Sequence, residues 1–211
     1  MTPAGPVVTV DADGIVTGNT YDKYGSTNPI VRRLMAGFER ALDELFEQAA
    51  PQSLLDVGCG EGVLTHRWAQ RLGDRRVVGI DLDDPGLHAL WEGRRAPNLE
   101  YRVMKAENLP FGDGEFDVGA AIEVLEHVPD PDHTVAEMAR VASGHLLVSV
   151  PREPLWRGLN LARGAYLKDL GNTPGHLNHW SKRSFVALLS RYGAVVQTRT
   201  PFPWTMLLVQ L

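Results

Sequence analysis

The sequence predicts an α/β fold: a doubly wound, seven-stranded, mostly parallel sheet with helices on both faces, ending in an antiparallel hairpin. Three observations predict it. From Ser53 onward, short apolar strands alternate with segments of helical period, a pattern that implies right-handed crossovers and a parallel sheet. The first of these strands runs into a glycine-rich turn, LLDVGCGEG (54–62), and in such sheets ligands sit beyond the carboxyl ends of the strands. The last two strands, AVVQTRT and WTMLLVQL, are separated only by Pro201 to Pro203. No crossover helix fits in that space, so they pair antiparallel.

The elements follow in order. VVTV and IVT flank Asp11–Gly14, which suggests a small hairpin. In NPIVRRLMAGFERALDELFEQAA, Asn28 can cap a helix and Pro29 suits its first position. Ile30, Leu34, Phe38, Leu42 and Leu45 recur at helical spacing. SLLDV, RVVGID, LEYRVM, FDVGAAI and HLLVSV read as five strands, and VLTHRWAQRL, PGLHALWEGRR and HTVAEMARVA as helices. SKRSFVALLSRYG is a further helix, capped by Ser181. Residues 1–50 form an N-terminal extension and helix, and 51–211 the main domain, with an insert at about 151–180.

Composition narrows the function classes. Hydrophobic residues at 44% and charged residues at 22% describe an ordinary globular chain. The net charge of −5 disfavours a general nucleic-acid binder. The single cysteine cannot form an internal disulfide and is compatible with a reducing cytoplasm. No apolar run approaches the ~20 residues of a membrane span, and the N-terminus lacks a signal-peptide pattern. The expected location is cytoplasmic; the oligomeric state is left open.

Gly58 and Gly60 let the chain turn sharply and approach a ligand closely. A dinucleotide turn spaces its glycines G-x-G-x-x-G; here Val63 holds the third place and Gly62 comes one residue early. Asp56, just before the turn, would repel a phosphate and attract a cationic or amino-bearing ligand. Asp81 follows about 20 residues past the turn, where an acid can accept from both ribose hydroxyls; the alternative is a simple helix cap.

LLDVGCGEG, VVGIDLDD, AENLPFGDGEFDV and IEVLEHVPDP together resemble the class I S-adenosylmethionine-dependent methyltransferases, above all the small ubiquinone/menaquinone-methyltransferase-like group. The resemblance spans roughly residues 53–150 and implies a Rossmann-like methyltransferase fold. It implies that Asp56, Gly58, Cys59 and Gly60 hold the methionine part of S-adenosylmethionine, with Cys59 acting through its backbone. Asp81 matches the ribose acid, Leu82 the apolar neighbour of the adenine, and Ala106 and Glu107 the segment along it. The alternative for Glu107 is a solvated loop acid. Glu123 matches a position near the methionine amine and the methyl group. The family often has an acid before the Ala-Glu pair; Lys105 stands there, so no acidic contact to the adenine amine is carried over. The N-terminal segment would close over the cofactor, and Tyr21 and Tyr24 would line the pocket or serve as core or surface aromatics.

The implied reaction is in-line methyl transfer, leaving S-adenosylhomocysteine, to a small apolar, aromatic or lipid-like acceptor, on O, C or N. His127 is the first candidate base, with a structural histidine at a helix start as the alternative. His176 and His179 are further candidates. Their spacing alone does not make a metal site, and no metal is expected. Trp156 and Tyr166, in the insert, are candidate substrate contacts. That segment reads as a lid, as a helix packed on the core, or as a basic amphipathic segment resting on a membrane surface. Two rivals stand: a cofactor-binding scaffold without catalysis, and a nicotinamide-dependent oxidoreductase.

Overall fold

The structure, a computed structural model, describes residues 27–211 and the backbone of residues 9, 10, 16 and 17. Strands β1 (Thr9–Val10) and β2 (Val16–Thr17) pair antiparallel, and the expected turn at Asp11–Gly14 lies outside the described residues. Tyr21 and Tyr24 lie outside the described residues.

Helix α1 (Pro29–Ala49) begins where Asn28 Oδ1 accepts from the Ile30 N–H at 2.9 Å, with Pro29 in the first position. Its buried residues, from Met35 through Phe38, Leu42 and Leu45 to Ala49, recur at helical period. It stops at Ala50, whose left-handed backbone precedes Pro51. Then come β3 (Leu54–Val57), α2 (Val63–Leu72), β4 (Val77–Asp81), α3 (Pro85–Glu92), β5 (Leu99–Val103), β6 (Phe116–Ile122), α4 (Pro131–Val141) and β7 (Ala142–Pro151). The chain continues through α5 (Leu155–Ala162), a 3₁₀ turn (Leu167–Asp169), α6 (Lys182–Leu189), β8 (Ala194–Arg199) and β9 (Trp204–Gln210).

The seven-stranded sheet has the order β5-β4-β3-β6-β7-β9-β8. Strands β3 to β7 pair parallel; β9 runs antiparallel to both β7 and β8. The chain thus returns through β8 at the edge and inserts β9 between it and β7. Strand β3 is buried along its whole length, as a strand covered on both faces should be. Alternate residues face opposite layers. Leu54, Val118, Leu147, Met206 and Leu208 pack with α1 and α2 (Phe38, Leu42, Leu45, Trp68). Leu55, Val57, Val148, Leu207 and Val209 pack with α4 and α6 (Val135, Met138, Phe185, Leu189).

Two details differ from the sequence expectation. Helix α4 starts earlier, because Asp130 accepts from the His133 N–H and Pro131 takes the first position. His127 therefore lies in a turn before that helix, its N–H donating to Val124 O at 2.8 Å, and not at a helix start. The order in which strands are added reverses between the parallel neighbours β3 and β6, and the carboxyl ends of β3, β4 and β6 open onto one cavity there, the expected position for a ligand.

Candidate active site

The cavity has a volume of about 760 Å³, large for a single small ligand and within the range of ligand pockets. Its floor is the glycine turn. Gly58, Gly60 and Gly62 all have positive φ. At Gly58 a Cβ would meet Val124 Cγ2 at 2.5 Å, whereas at Gly60 a Cβ would meet nothing within 4 Å. The first glycine permits close packing against the loop after β6; the second leaves open room at the cavity wall.

Two acids flank the turn. Asp56, at 3% exposure, accepts from the Thr65 hydroxyl at 2.6 Å. Burial, only partly offset by that hydrogen bond, pushes its carboxyl up to about 7. Asp81 accepts from the Gly60 N–H at 2.6 Å on one oxygen and from the Leu82 N–H at 2.8 Å on the other. Burial raises its pKa as well, against those two bonds. Each oxygen of Asp81 keeps acceptor capacity beyond its backbone bond. Burial also raises the Cys59 thiol, which therefore stays protonated, while the Cys59 N–H is bonded to Ile80 O. Two acids beside the turn, Asp56 buried and Asp81 partly buried, make the floor suited to a ligand carrying positive charge.

Leu82, Ala106 and Glu107 line the same cavity on the β4 and β5 side. Glu123 lines it at the end of β6, in a left-handed backbone with φ 62°. Its carboxylate is gripped from both sides: Trp204 Nε1 donates to Oε2 at 2.7 Å and Ser149 Oγ to Oε1 at 3.0 Å.

The upper chamber is aromatic. Trp204 meets Phe38 edge-on at 4.9 Å and Trp156 at 5.9 Å. Trp156 Nε1 donates to Thr173 Oγ1, which also accepts from the buried Asn160. Asn160 also donates to Gly171 O, so α5 is tied to the loop after it. Tyr166 lines the cavity with Trp156.

His127 and His176 meet edge to face at 4.9 Å. His127 Nδ1 lies 2.9 Å from Gly175 O, which can only accept; Nδ1 is thus the donor and Nε2 carries the lone pair of the neutral ring. Glu126, 1% exposed, brings Oε1 to 4.0 Å from that Nε2. Glu126, His127 and His176 offer one ligand atom each within 4.8 Å, and no fourth His, Cys or carboxylate joins that group among the described residues. The trio can hold a proton, and its donor set would also accept a divalent cation. His179 is not part of it. It is exposed, and its Nε2 is paired with Asn172 Oδ1 at 2.8 Å. The reason is local: the N–H groups of Leu177 and Asn178 both donate to Glu126 O, so the loop docks there with His176 inward and His179 outward.

Thr65, Glu126, Asn160, Thr173 and Trp204 escape a reading of the sequence. Glu126 had a signal in the acids of EVLEHV; Trp204 had none, since its partner Glu123 is distant in the chain.

Residues 55–148 match the family described as "Methyltransferase domain". This segment is a class I methyltransferase domain. Curated relatives of this methyltransferase domain include a ubiquinone biosynthesis O-methyltransferase of Hahella chejuensis, 41% identical over 109 residues, or 48% of this chain and 44% of that protein. The match spans less than half the length of the curated relative. Among solved structures, a putative methyltransferase of Bacillus halodurans is 25% identical with a TM-score of 0.59, covering 76% of this chain and 71% of its own. The magnesium protoporphyrin IX methyltransferase of Synechocystis, solved with S-adenosylhomocysteine, is 17% identical with a TM-score of 0.63, covering 88% and 89%; at that identity it shows the shared fold.

Proposed function

We propose that this chain transfers a methyl group from S-adenosylmethionine to a small aromatic or apolar acceptor. The observation that carries the reading is one continuous cavity whose floor is a glycine turn between two acids, the buried Asp56 and the partly buried Asp81, and whose upper chamber is walled by Phe38, Trp156 and Trp204. The residues present fit the cofactor: the open space beside Gly60 admits a close ligand, and Asp56 and Glu123 offer carboxylates to an ammonium group. Asp81 would take the ribose hydroxyls, and Leu82, Ala106 and Glu107 would flank the adenine. S-adenosylmethionine supplies a methyl group already activated by its sulfonium.

The protein then has to align the acceptor, exclude water and take up a proton where the acceptor loses one. The aromatic walls hold a flat ring. His127, its tautomer set by Gly175 O, presents Nε2 as the base, and Glu126 beside it favours the imidazolium that forms. The printed name of the Hahella relative supports a hydroxyl on a quinone-related ring as the acceptor. Leu167 and Leu170 are both exposed by more than half and flank Lys168 in the chain. That surface supports a lipid-like acceptor and peripheral contact with a membrane. No helix among the described residues is long and apolar enough to cross one, and the single cysteine supports a cytoplasmic location.

Titration calorimetry with S-adenosylhomocysteine tests the cofactor site. Binding is expected in wild type, and Asp81→Asn is expected to weaken it about tenfold or more, as loss of a charged acceptor should. Binding of NAD in its place would sink the reading. A panel of tailed phenols, catechols and amines, followed by release of S-adenosylhomocysteine, tests catalysis; turnover of none of them would favour a scaffold.

A further inference from the structure

Gly60 lies in the turn that forms the cavity floor. It has positive φ, no side chain, and open space where a Cβ would be, so its backbone freedom must be restrained by something else. The two peptides on either side of its Cα are both held from outside the turn. The Gly60 N–H donates to Asp81. The Gly60 carbonyl accepts from Trp91 Nε1 at 2.8 Å.

Trp91 stands on α3, the helix that starts just after Asp81 and Leu82 and is capped by Asp84. Its indole is 7% exposed and stacks on Tyr101 at 5.1 Å with planes only 4° apart. The Tyr101 hydroxyl donates to Gly62 O at 3.2 Å, and a Cβ on Gly62 would strike that ring. Burial raises the Tyr101 pKa, so the hydroxyl stays protonated and able to donate. Two stacked rings from β5 and α3 thus reach two carbonyls of the turn. Trp91 is absent from the cavity lining.

We infer that Trp91 is a positioning residue for cofactor binding: through the Gly60 carbonyl it holds the glycine turn in its ligand-ready shape, with Tyr101 supporting the indole and securing Gly62. The effect is pre-organisation. A turn already held loses less freedom when a ligand binds, and affinity rises with no contact added. This rests on the reading of the turn as the cofactor cradle.

Trp91→Phe keeps an aromatic ring on Tyr101 and removes the N–H. Tyr101→Phe keeps the stack and removes the bond to Gly62. Both are compared with wild type by calorimetry with S-adenosylhomocysteine, at a temperature where circular dichroism shows every variant fully folded. A merely structural role lowers Tm and leaves the dissociation constant of the folded protein unchanged. The expected result is a dissociation constant raised about tenfold in Trp91→Phe and severalfold in Tyr101→Phe, the range for one hydrogen bond. Should Trp91→Phe not fold, Tyr101→Phe carries the test. Unchanged affinity in the folded variants, with wild type binding, overturns the inference alone. No binding by wild type overturns the cofactor reading and the inference with it.

Discussion

At the scale of single residues, Asp56 shows how burial and chemistry pull against each other. Its carboxyl is raised from 3.8 to about 7 chiefly by burial. A raised carboxyl favours the fold when protonated, so its contribution is full below about 4 and is lost as pH rises through about 7. Asp56→Asn removes this dependence while keeping an acceptor for Thr65. The Tm of the variant relative to wild type should therefore climb by several degrees between pH 5 and pH 8; parallel Tm curves would show that Asp56 titrates normally. The same variant should lose affinity for S-adenosylhomocysteine, because an amide cannot match an ammonium. His127 is the corresponding test of chemistry. His127→Ala should lower turnover about a hundredfold with the affinity for S-adenosylhomocysteine within about twofold; equal losses in both would make it part of the cofactor floor. Asp56 and Asp81 were legible as acids on either side of a glycine turn. Thr65, which binds Asp56 from α2, was not, because a threonine inside a helix carries no mark of what it faces.

At the scale of elements, local chemistry made most of the fold readable. Asn28-Pro29 announced α1, Ser181 announced α6 with a full capping box, and Pro201–Pro203 left room only for a tight connection. The insert was not readable to the same degree. Helix α5 has no side-chain cap at Pro154, and its orientation depends on Asn160 and Trp156 reaching Thr173 and Gly171, partners set by the folded loop. Apolar and basic residues interleave there, so periodicity alone could not separate a lid from a packed helix. The glycine turn yields the sharpest test of an element. Gly58→Ala would place a methyl group 2.5 Å from Val124 in a backbone with φ 71°. A loss of about 1–3 kcal/mol is expected from strain and crowding, visible as a lower midpoint in urea, together with weakened binding of S-adenosylhomocysteine. Full stability in that variant would mean that the loop after β6 yields easily.

At the scale of the whole molecule, the sheet separates two apolar layers and leaves the cavity-lining residues at the carboxyl ends of its interior parallel strands. The alternation of Met206 and Leu208 with Leu207 and Val209 supplies both layers from one strand. This order was legible because period-two patterns and connection lengths are local properties. The joining of β9 to the cavity was not, since it depends on pairing with β7. Ligand linkage tests the molecule as a unit: at about a hundred times its dissociation constant, S-adenosylhomocysteine should stabilise the fold by about 2.7 kcal/mol. A Tm independent of ligand concentration would exclude a site tied to global folding. The bond between Trp204 and Glu123 adds a matter of timing. During synthesis the glycine turn and Asp81 leave the ribosome long before residue 204. A nascent chain at that stage carries the residues of the turn but lacks the indole that grips Glu123 and the strand that pairs with β7 on its far side. Completion of the proposed site is thereby coupled to completion of the sheet, so truncated translation products would lack the bond that holds Glu123.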